Sequence, residues 1–149
     1  MNILLENDGQ ASGLETLRSL IAAGRRPPIA ETLDFDLIDV DEGRAVFEGT
    51  PGPHAYNPLG VVHGGYAATL LDSACGCAVH ASLTAQQAYT TLELKIQYHR
   101  AITTDTGPVR AEGRVVTLGR RVAFAEGRLI DASGRLYAAA TSTLLVFER

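Results

Sequence analysis

The 149-residue sequence contains no tryptophan, and its aromatic residues make up only 6% of the chain. So few aromatic side chains provide little surface on which nucleic-acid bases could stack. The net charge of −4 also provides no general attraction to a nucleic-acid phosphate backbone. We therefore expect no nucleic-acid partner.

Cysteine is also scarce, since the chain has only Cys75 and Cys77, both within a predicted helix. Side chains two residues apart on a helix do not face each other, so we expect no disulfide between them. A C-x-C pair without a second pair of ligands is a weak sign of a metal site. We predict that both cysteines are buried as small hydrophobic side chains.

Long hydrophobic runs are missing as well. No segment is both long and apolar enough to span a bilayer, and residues 1–6 lack the basic start and apolar stretch of a signal peptide. We therefore expect a cytoplasmic protein with no membrane partner. With 46% hydrophobic and 20% charged residues, the sequence is typical of one globular domain spanning 1–149.

Hydrophobic periodicity predicts one helix, two strands, a long helix and four further strands. The first helix follows an N-cap at Ser12 and stops near Gly24, so that 1–28 forms an N-terminal helical extension. The long helix begins at Gly64 and ends near Leu83. Strands are predicted over residues 33–40, 44–49, 89–98, 109–118, 122–130 and 136–147.

These elements predict an α+β fold in which an antiparallel six-stranded sheet wraps around one long central helix. Hairpin connections between strands favour antiparallel pairing. The long helix has almost no polar face, so it must be covered on most sides, and a curved sheet can provide that cover. The open edge of such a sheet and the uncovered part of the helix predict a homodimer.

The most informative segment is the glycine-rich loop that leads into the long helix. Gly64 and Gly65 would let another group approach the first N–H groups of the helix, at the positive end of its dipole. Such donors can polarise a carbonyl oxygen that gains negative charge. Asp72 lies on the same helix, on one stripe with Gly65, Thr69 and Gly76, whose small side chains would leave room around the carboxylate.

The spacing of Gly64 and Asp72 bears on how a site could be assembled. They are eight residues apart in the sequence, which corresponds to about 12 Å along a helix axis. One small carbonyl group cannot easily reach both from the same helix. Two central helices packed antiparallel across a dimer axis would place the N-terminus of one beside the Asp of the other, so the spacing favours a site shared between subunits.

Each of these residues also has a structural interpretation. Asp72 could be paired or solvated at a helix edge, Asn57 could simply form a turn, and His63 could be an ordinary loop residue. Arg120 and Arg121 lie at a predicted hairpin tip, where they form either a solvated turn or a pair that binds phosphates.

At these intervals, Asn57, Gly60, the His63-Gly64-Gly65 triplet and Asp72 resemble the hotdog-fold acyl-CoA thioesterases of the phenylacetate-degradation (PaaI) type. The resemblance extends over residues 33–147 and includes the spacing of Thr91 and Tyr98 and the hairpin that begins Gly119-Arg120-Arg121. It implies an enzyme that hydrolyses an acyl-CoA to a free acid and CoA. It leaves the acyl group open among aromatic, short and medium straight-chain groups.

The resemblance also implies roles for the loop and helix residues. The backbone N–H of Gly64, with that of Gly65, would polarise the thioester carbonyl. Asp72 from the second subunit would act as nucleophile or as general base for water. Asn57 and His63 would orient the thioester, the water or the leaving thiolate.

Three further residues receive roles from the resemblance. Thr91 would help to position the water, and Arg120 and Arg121 would contact the nucleotide phosphates of CoA. No metal and no cofactor is implied, and the family commonly forms homotetramers from two dimers. The candidates for lining the acyl pocket in the dimer groove are the aromatic residues Tyr66, Tyr98 and Phe124.

Two other functions stay open at this point. A hotdog hydratase or dehydratase would pair His with a carboxylate, and the helix has no matching Asp-x-x-x-x-His. A non-catalytic acyl-CoA sensor is the other alternative, because one fold can host several functions. Such a sensor would normally carry a DNA-binding segment, for which the N-terminal helix is small and not basic enough.

Overall fold

A computed structural model of the chain describes Asn2, Glu6 and residues 9–149. Residues 1, 3–5, 7 and 8 lie outside the described residues. They belong to the predicted N-terminal extension 1–28, and some of them belong to the segment 1–6, in which we expect no signal peptide. The helices are α1 (Gly13–Ala22), α2 (Pro28–Leu33) and α3 (Gly64–His80). The strands are β1 (Phe35–Asp41), β2 (Arg44–Gly49), β3 (Gln87–Tyr98), β4 (Val109–Leu118), β5 (Val122–Asp131) and β6 (Leu136–Glu148).

Among the described residues, the six strands form one antiparallel sheet in the order β1-β2-β4-β5-β6-β3. Helix α3 packs against this sheet and contacts every strand of it. The predicted sheet around one central helix is therefore confirmed. Strands β1 and β3 form its two edges. No helix in the described part of the chain is long and apolar enough to cross a membrane.

Small residues on the inner face of the sheet allow α3 to lie close to it. Buried and exposed positions alternate along β5, and its inward positions are Ala123, Ala125, Gly127 and Leu129. On β4, a Cβ atom at Gly113 would lie 2.3 Å from backbone atoms of α3. The strand pattern therefore provides both the burial and the space that the central helix needs.

The N-terminal region matches the prediction at α1 and differs from it at α2. Ser12 caps α1 by accepting the N–H of Glu15, whose side chain in turn accepts the N–H of Ser12. The sequence predicts no helix between α1 and the first strand, and this is wrong, because α2 begins at Pro28. Proline fits the first position of a helix because its missing N–H would have no helical partner there.

Helix α3 ends at His80, three residues before the predicted end, and α1 packs over that end. A Cβ atom at Gly13 would lie 1.7 Å from the carbonyl oxygen of His80, so the two backbones are in direct contact. The His80 side chain is only 4% exposed, and its ring nitrogens have no partner among the described residues. Burial, with a smaller effect of the Arg149 charge, lowers the pKa of His80 to about 4.

This buried histidine predicts a loss of stability in acid. Above about pH 6.5 the imidazole is neutral in both the folded and the unfolded chain, so it does not make the free energy of unfolding depend on pH. Below that pH the unfolded chain binds a proton that the folded chain does not, so the free energy of unfolding falls by up to about 1.4 kcal/mol per pH unit, down to the folded-state pKa. Urea unfolding at several pH values should therefore show that the free energy of unfolding falls less steeply with decreasing pH for His80→Leu than for the wild type.

The matched control is His99→Leu, which removes an exposed histidine and leaves the buried His80 in place. Equal slopes for His80→Leu and the wild type would contradict the assignment of the acid loss to His80.

Candidate active site

The loop before α3 is closed by Asn57. Its side-chain Oδ1 accepts the backbone N–H of Leu59 at 2.9 Å and that of Val61 at 3.4 Å. The backbone N–H of Asn57 donates to the carbonyl of Val61 at 2.8 Å. Gly60 has a φ of +81°, a conformation that favours glycine. The contacts of Asn57 within one chain are thus those of a turn-forming residue.

His63 is the N-cap of α3. Its Nδ1 accepts the backbone N–H of Gly65 at 2.8 Å, so that donor is already engaged. The N–H of Gly64, by contrast, has no hydrogen-bond partner within the described part of the chain. The carbonyl of Gly64 accepts the hydroxyl of Tyr98 at 2.8 Å, which fixes the first turn of the helix against β3. Of the two predicted donors, Gly64 is therefore the one that remains available.

Gly64 opens into a cavity of about 360 Å³, which we call the Gly64 cavity. Its walls include His63, Tyr98 and Arg100. Sequence reasoning missed Arg100, although its position just after the strand that carries Tyr98 was an available signal. Its guanidinium has no ion-pair partner among the described residues. The cavity thus combines a free backbone donor with a free cation.

Asp72 lies half-buried in the middle of α3, beside β3. The hydroxyl of Thr91 donates to Asp72 Oδ1 at 3.0 Å, so the structure brings these two predicted residues together. Within residues 9–149, no Lys, Arg or His lies within ion-pair distance of the Asp72 carboxylate. The carboxylate is therefore held by a neutral hydroxyl group and keeps a free oxygen atom for chemistry.

The two cysteines lie near Asp72 on α3. Cys75 is buried as predicted, whereas Cys77 is only partly buried. Burial, followed by the charge of Asp72, raises the pKa of each thiol to about 12. Both therefore remain protonated near neutral pH and are poor nucleophiles.

The small residues beside Asp72 do not all leave open space. A Cβ atom at Gly76 would lie 2.7 Å from the hydroxyl oxygen of Tyr89, so the Tyr89 ring fills the room at Gly76. The Thr69 hydroxyl donates to the Gly65 carbonyl at 2.8 Å. Open space reaches Asp72 instead through a separate cavity of about 280 Å³, which we call the Asp72 cavity.

The Gly64 cavity and the Asp72 cavity have no lining residue in common. Thr91 and Tyr89 line the Asp72 cavity, whereas Tyr98, at the other end of β3, lines the Gly64 cavity. Within one chain, the free N–H of Gly64 and the carboxylate of Asp72 thus face different spaces. This separation is what the eight-residue spacing predicts.

Arg120 and Arg121 are exposed at the tip of the β4–β5 hairpin. Neither guanidinium has an ion-pair partner in the described part of the chain. The nearby Ala123 packs with Val79 and Leu83 at the C-terminal end of α3. The arginine pair therefore lies toward the end of the helix opposite to Gly64.

The three aromatic candidates for a pocket lining occupy different places. Tyr98 lines the Gly64 cavity. Tyr66 is buried in the core, and Phe124 is exposed between the inward-facing Ala123 and Ala125. Tyr66 and Phe124 line neither the Gly64 cavity nor the Asp72 cavity, because their positions on α3 and β5 point them elsewhere.

Comparison with known proteins gives matches that cover this site. Residues 59–138 match the family model described as the thioesterase superfamily. A predicted esterase from Saccharolobus solfataricus is 34% identical over 114 residues, which cover 75% of this chain and 78% of that protein. Both matches extend over more than half of the chain.

Solved structures match the fold as well. A variant of the phenylacetic acid degradation protein PaaI from Thermus thermophilus has a TM-score of 0.73 and 27% identity, covering 80% of this chain and 98% of that one. A thioesterase from Haemophilus influenzae has a TM-score of 0.78 and 19% identity, covering 89% of this chain and 90% of that one. At 19% identity, the second match shows the fold alone.

Proposed function

The chain belongs to the thioesterase superfamily as a hotdog-fold thioester hydrolase, and we propose that it hydrolyses acyl-CoA thioesters to a free acid and CoA. The observation that carries the proposal is the pair of groups on α3, namely the unpartnered N–H of Gly64 and the Asp72 carboxylate held by Thr91. A hydrolysis assay on a panel of acyl-CoAs, with the released thiol as readout, tests it. Failure to hydrolyse any acyl-CoA would contradict it.

In the proposed mechanism, the Gly64 N–H donates to the thioester carbonyl oxygen as negative charge develops there. A backbone donor at the start of a helix is fixed before the reaction, and one such donor contributes on the order of 10²- to 10³-fold in rate. His63 caps the helix through Nδ1, so its ring lies at the cavity wall with Nε2 left to orient the thioester or the leaving thiolate. Asn57 acts as a positioning residue by closing the loop.

Asp72 carries the chemical step in this proposal. As a general base it takes a proton from the water that attacks the carbonyl carbon, and as a nucleophile it attacks that carbon itself before water releases the acid. In both routes the carboxylate must be ionised, and the sulfur leaves as the CoA thiolate. The Thr91 hydroxyl holds one carboxylate oxygen and can accept a hydrogen bond from the water.

We also propose that each active site is formed by two chains. An antiparallel dimer would bring Asp72 of one chain to Gly64 of the other, with Ala68, midway between them, nearest the two-fold axis. Edge strand β3 has one unpaired side and carries the 59% exposed Leu92, which supports pairing with a second copy. Two such dimers would form the proposed homotetramer, which light scattering after size-exclusion chromatography can test.

The arginine pair at the β4–β5 hairpin provides a test of CoA binding. If Arg120 and Arg121 contact the CoA phosphates, replacing both with alanine should raise KM while kcat changes little, because the contact is equal in ground and transition states. Two exposed ion pairs at up to about 1 kcal/mol each correspond to a rise of up to about 30-fold at low salt. The effect should shrink as the salt concentration increases.

Two single variants complete this test. Arg135→Ala removes another exposed arginine, at the β5–β6 turn, and should leave KM unchanged. An unchanged KM in the double variant together with a raised KM in Arg100→Ala would place the phosphates at the Gly64 cavity instead.

A further inference from the structure

The Asp72 cavity extends from α3 to the N-terminal helix α1, and we propose that it binds the acyl group of the substrate and that α1 sets the longest acyl chain the enzyme accepts. The inference rests on the proposed function, because it takes Asp72 as the reacting group. It goes beyond that function by naming the class of acyl group and the element that selects it.

The chemistry of the cavity walls fits an amphipathic occupant. Asp72, Ser73 and Thr91 contribute polar groups to the lining, and the Thr91 hydroxyl donates to Asp72 at 3.0 Å. Arg25 also lines the cavity, and its charge is compensated by Glu6 at 2.6 Å. The apolar part of the lining includes Leu17, Leu20, Phe35, Leu37 and Phe47. A thioester carbonyl would lie beside Asp72 and Thr91, with its hydrocarbon part along these apolar side chains.

The topology explains why α1 forms part of that wall. Both edge strands line the cavity, β1 through Phe35 and Leu37 and β3 through Thr91. Leu17 and Leu20 of α1 complete this lining, and α1 packs against β1 and α3. Leu17 and Leu20 on α1 are 2% and 6% exposed, so they are packed inward rather than facing solvent. The N-terminal helix thus forms one wall of the Asp72 cavity.

The size of the cavity limits the acyl group. Within one chain its volume is about 280 Å³, which is that of about nine water molecules and just below the usual range for ligand pockets. This space accommodates a medium-length straight chain or a group with one aromatic ring. A long-chain acyl group would have to displace the side chains of Leu17 and Leu20. We therefore assign the substrate class as apolar acyl groups of limited length.

Enlarging the cavity from the α1 side tests the assignment. The kcat/KM values of straight-chain acyl-CoAs from butanoyl to hexadecanoyl are measured for the wild type, Leu17→Ala and Leu20→Ala. In at least one variant, the preferred chain should be longer by two or more carbons. In that variant, kcat/KM for chains longer than the wild-type optimum, divided by kcat/KM for the optimum chain, should rise by about tenfold or more. Each accommodated methylene has an effect of this order.

Leu14→Ala is the matched control. Leu14 lies on the same helix and packs against the core without lining the cavity, so its truncation should lower the melting temperature and leave the chain-length preference unchanged. If Leu17→Ala and Leu20→Ala are both folded and both keep the wild-type preference, the assignment of α1 as the selecting wall is overturned. A shift of the same size in Leu14→Ala would also overturn it.

A second measurement separates this inference from the proposed function. Straight-chain carboxylic acids of graded length are added as ligands, and the melting temperature is recorded without any hydrolysis. The longest acid that stabilises Leu20→Ala or Leu17→Ala should exceed the longest that stabilises the wild type. Equal limits, or no stabilisation by any acid, would refute the acyl pocket. An absence of acyl-CoA hydrolysis alongside a shifted limit would refute only the proposed function.

Discussion

Asp72→Asn is expected to leave the fold intact and to abolish thioester hydrolysis. The amide has nearly the shape of the carboxylate and can still accept the Thr91 hydroxyl, so the packing around α3 should not change. It cannot accept a proton from water or attack the carbonyl carbon. A positioned acid–base group contributes roughly 10²- to 10⁴-fold, so kcat should fall by at least about 10²-fold.

The measurement is steady-state release of the CoA thiol, combined with thermal unfolding to show that the variant is folded. Asp105→Asn is the control, because Asp105 is an exposed carboxylate in a turn and lines neither cavity. Asp72→Asn should also retain acyl-CoA binding, since the substitution removes chemistry rather than the cavity. A folded Asp72→Asn variant with near wild-type turnover would assign the chemical step to another residue.

Thr91→Val gives a graded companion to this result, because it removes the hydroxyl that holds Asp72 while keeping the side-chain volume. The carboxylate would still be present and could react, but without a fixed orientation. The loss of kcat should therefore be smaller than in Asp72→Asn. We expect this smaller loss because Thr91 acts on Asp72 only through the hydrogen bond of 3.0 Å between its hydroxyl and Asp72 Oδ1, as a positioning residue.

The strands and the central helix could be predicted because their patterns are local. The bounds of β4 agree with the prediction residue for residue, since alternation and the adjacent turn Gly119-Arg120-Arg121 define them. Helix α2 was missed because six residues are too few for helical periodicity to show and because its first residue is proline. Local signals therefore failed where an element was short and began with a residue that also signals a break.

The sequence indicates candidate residues for the site but not the contacts that they make. That His63 engages the Gly65 N–H and leaves only the Gly64 N–H available depends on a side-chain rotamer, which a spacing pattern does not contain. Gly76 was interpreted as room for a ligand, whereas Tyr89 from β3 occupies that room. The Asp72 cavity depends on how α1 packs against β1 and α3. Such long-range packing has no signature in any one segment of the sequence.

A shared active site predicts that two inactive variants restore activity when they are combined. One subunit carries Asp72→Asn and the other Gly64→Val, whose side chain obstructs the approach to the helix N-terminus. A Cβ atom at Gly64 would lie 3.1 Å from the ring of the exposed Tyr98, which can move aside, so we expect this variant to fold. Each homodimer should be inactive, because every site in it has one defect.

Mixed and re-paired, the heterodimer has one site with both defects and one site with neither. Up to half of the wild-type activity per heterodimer should therefore return. Subunit exchange is verified with a differently tagged pair, and a mixture of two Asp72→Asn preparations with different tags should stay inactive. If exchange is complete, both parents are folded and no activity returns, then Gly64 and Asp72 of one chain must serve the same site. Their separate cavities within one chain lead us to expect the opposite result.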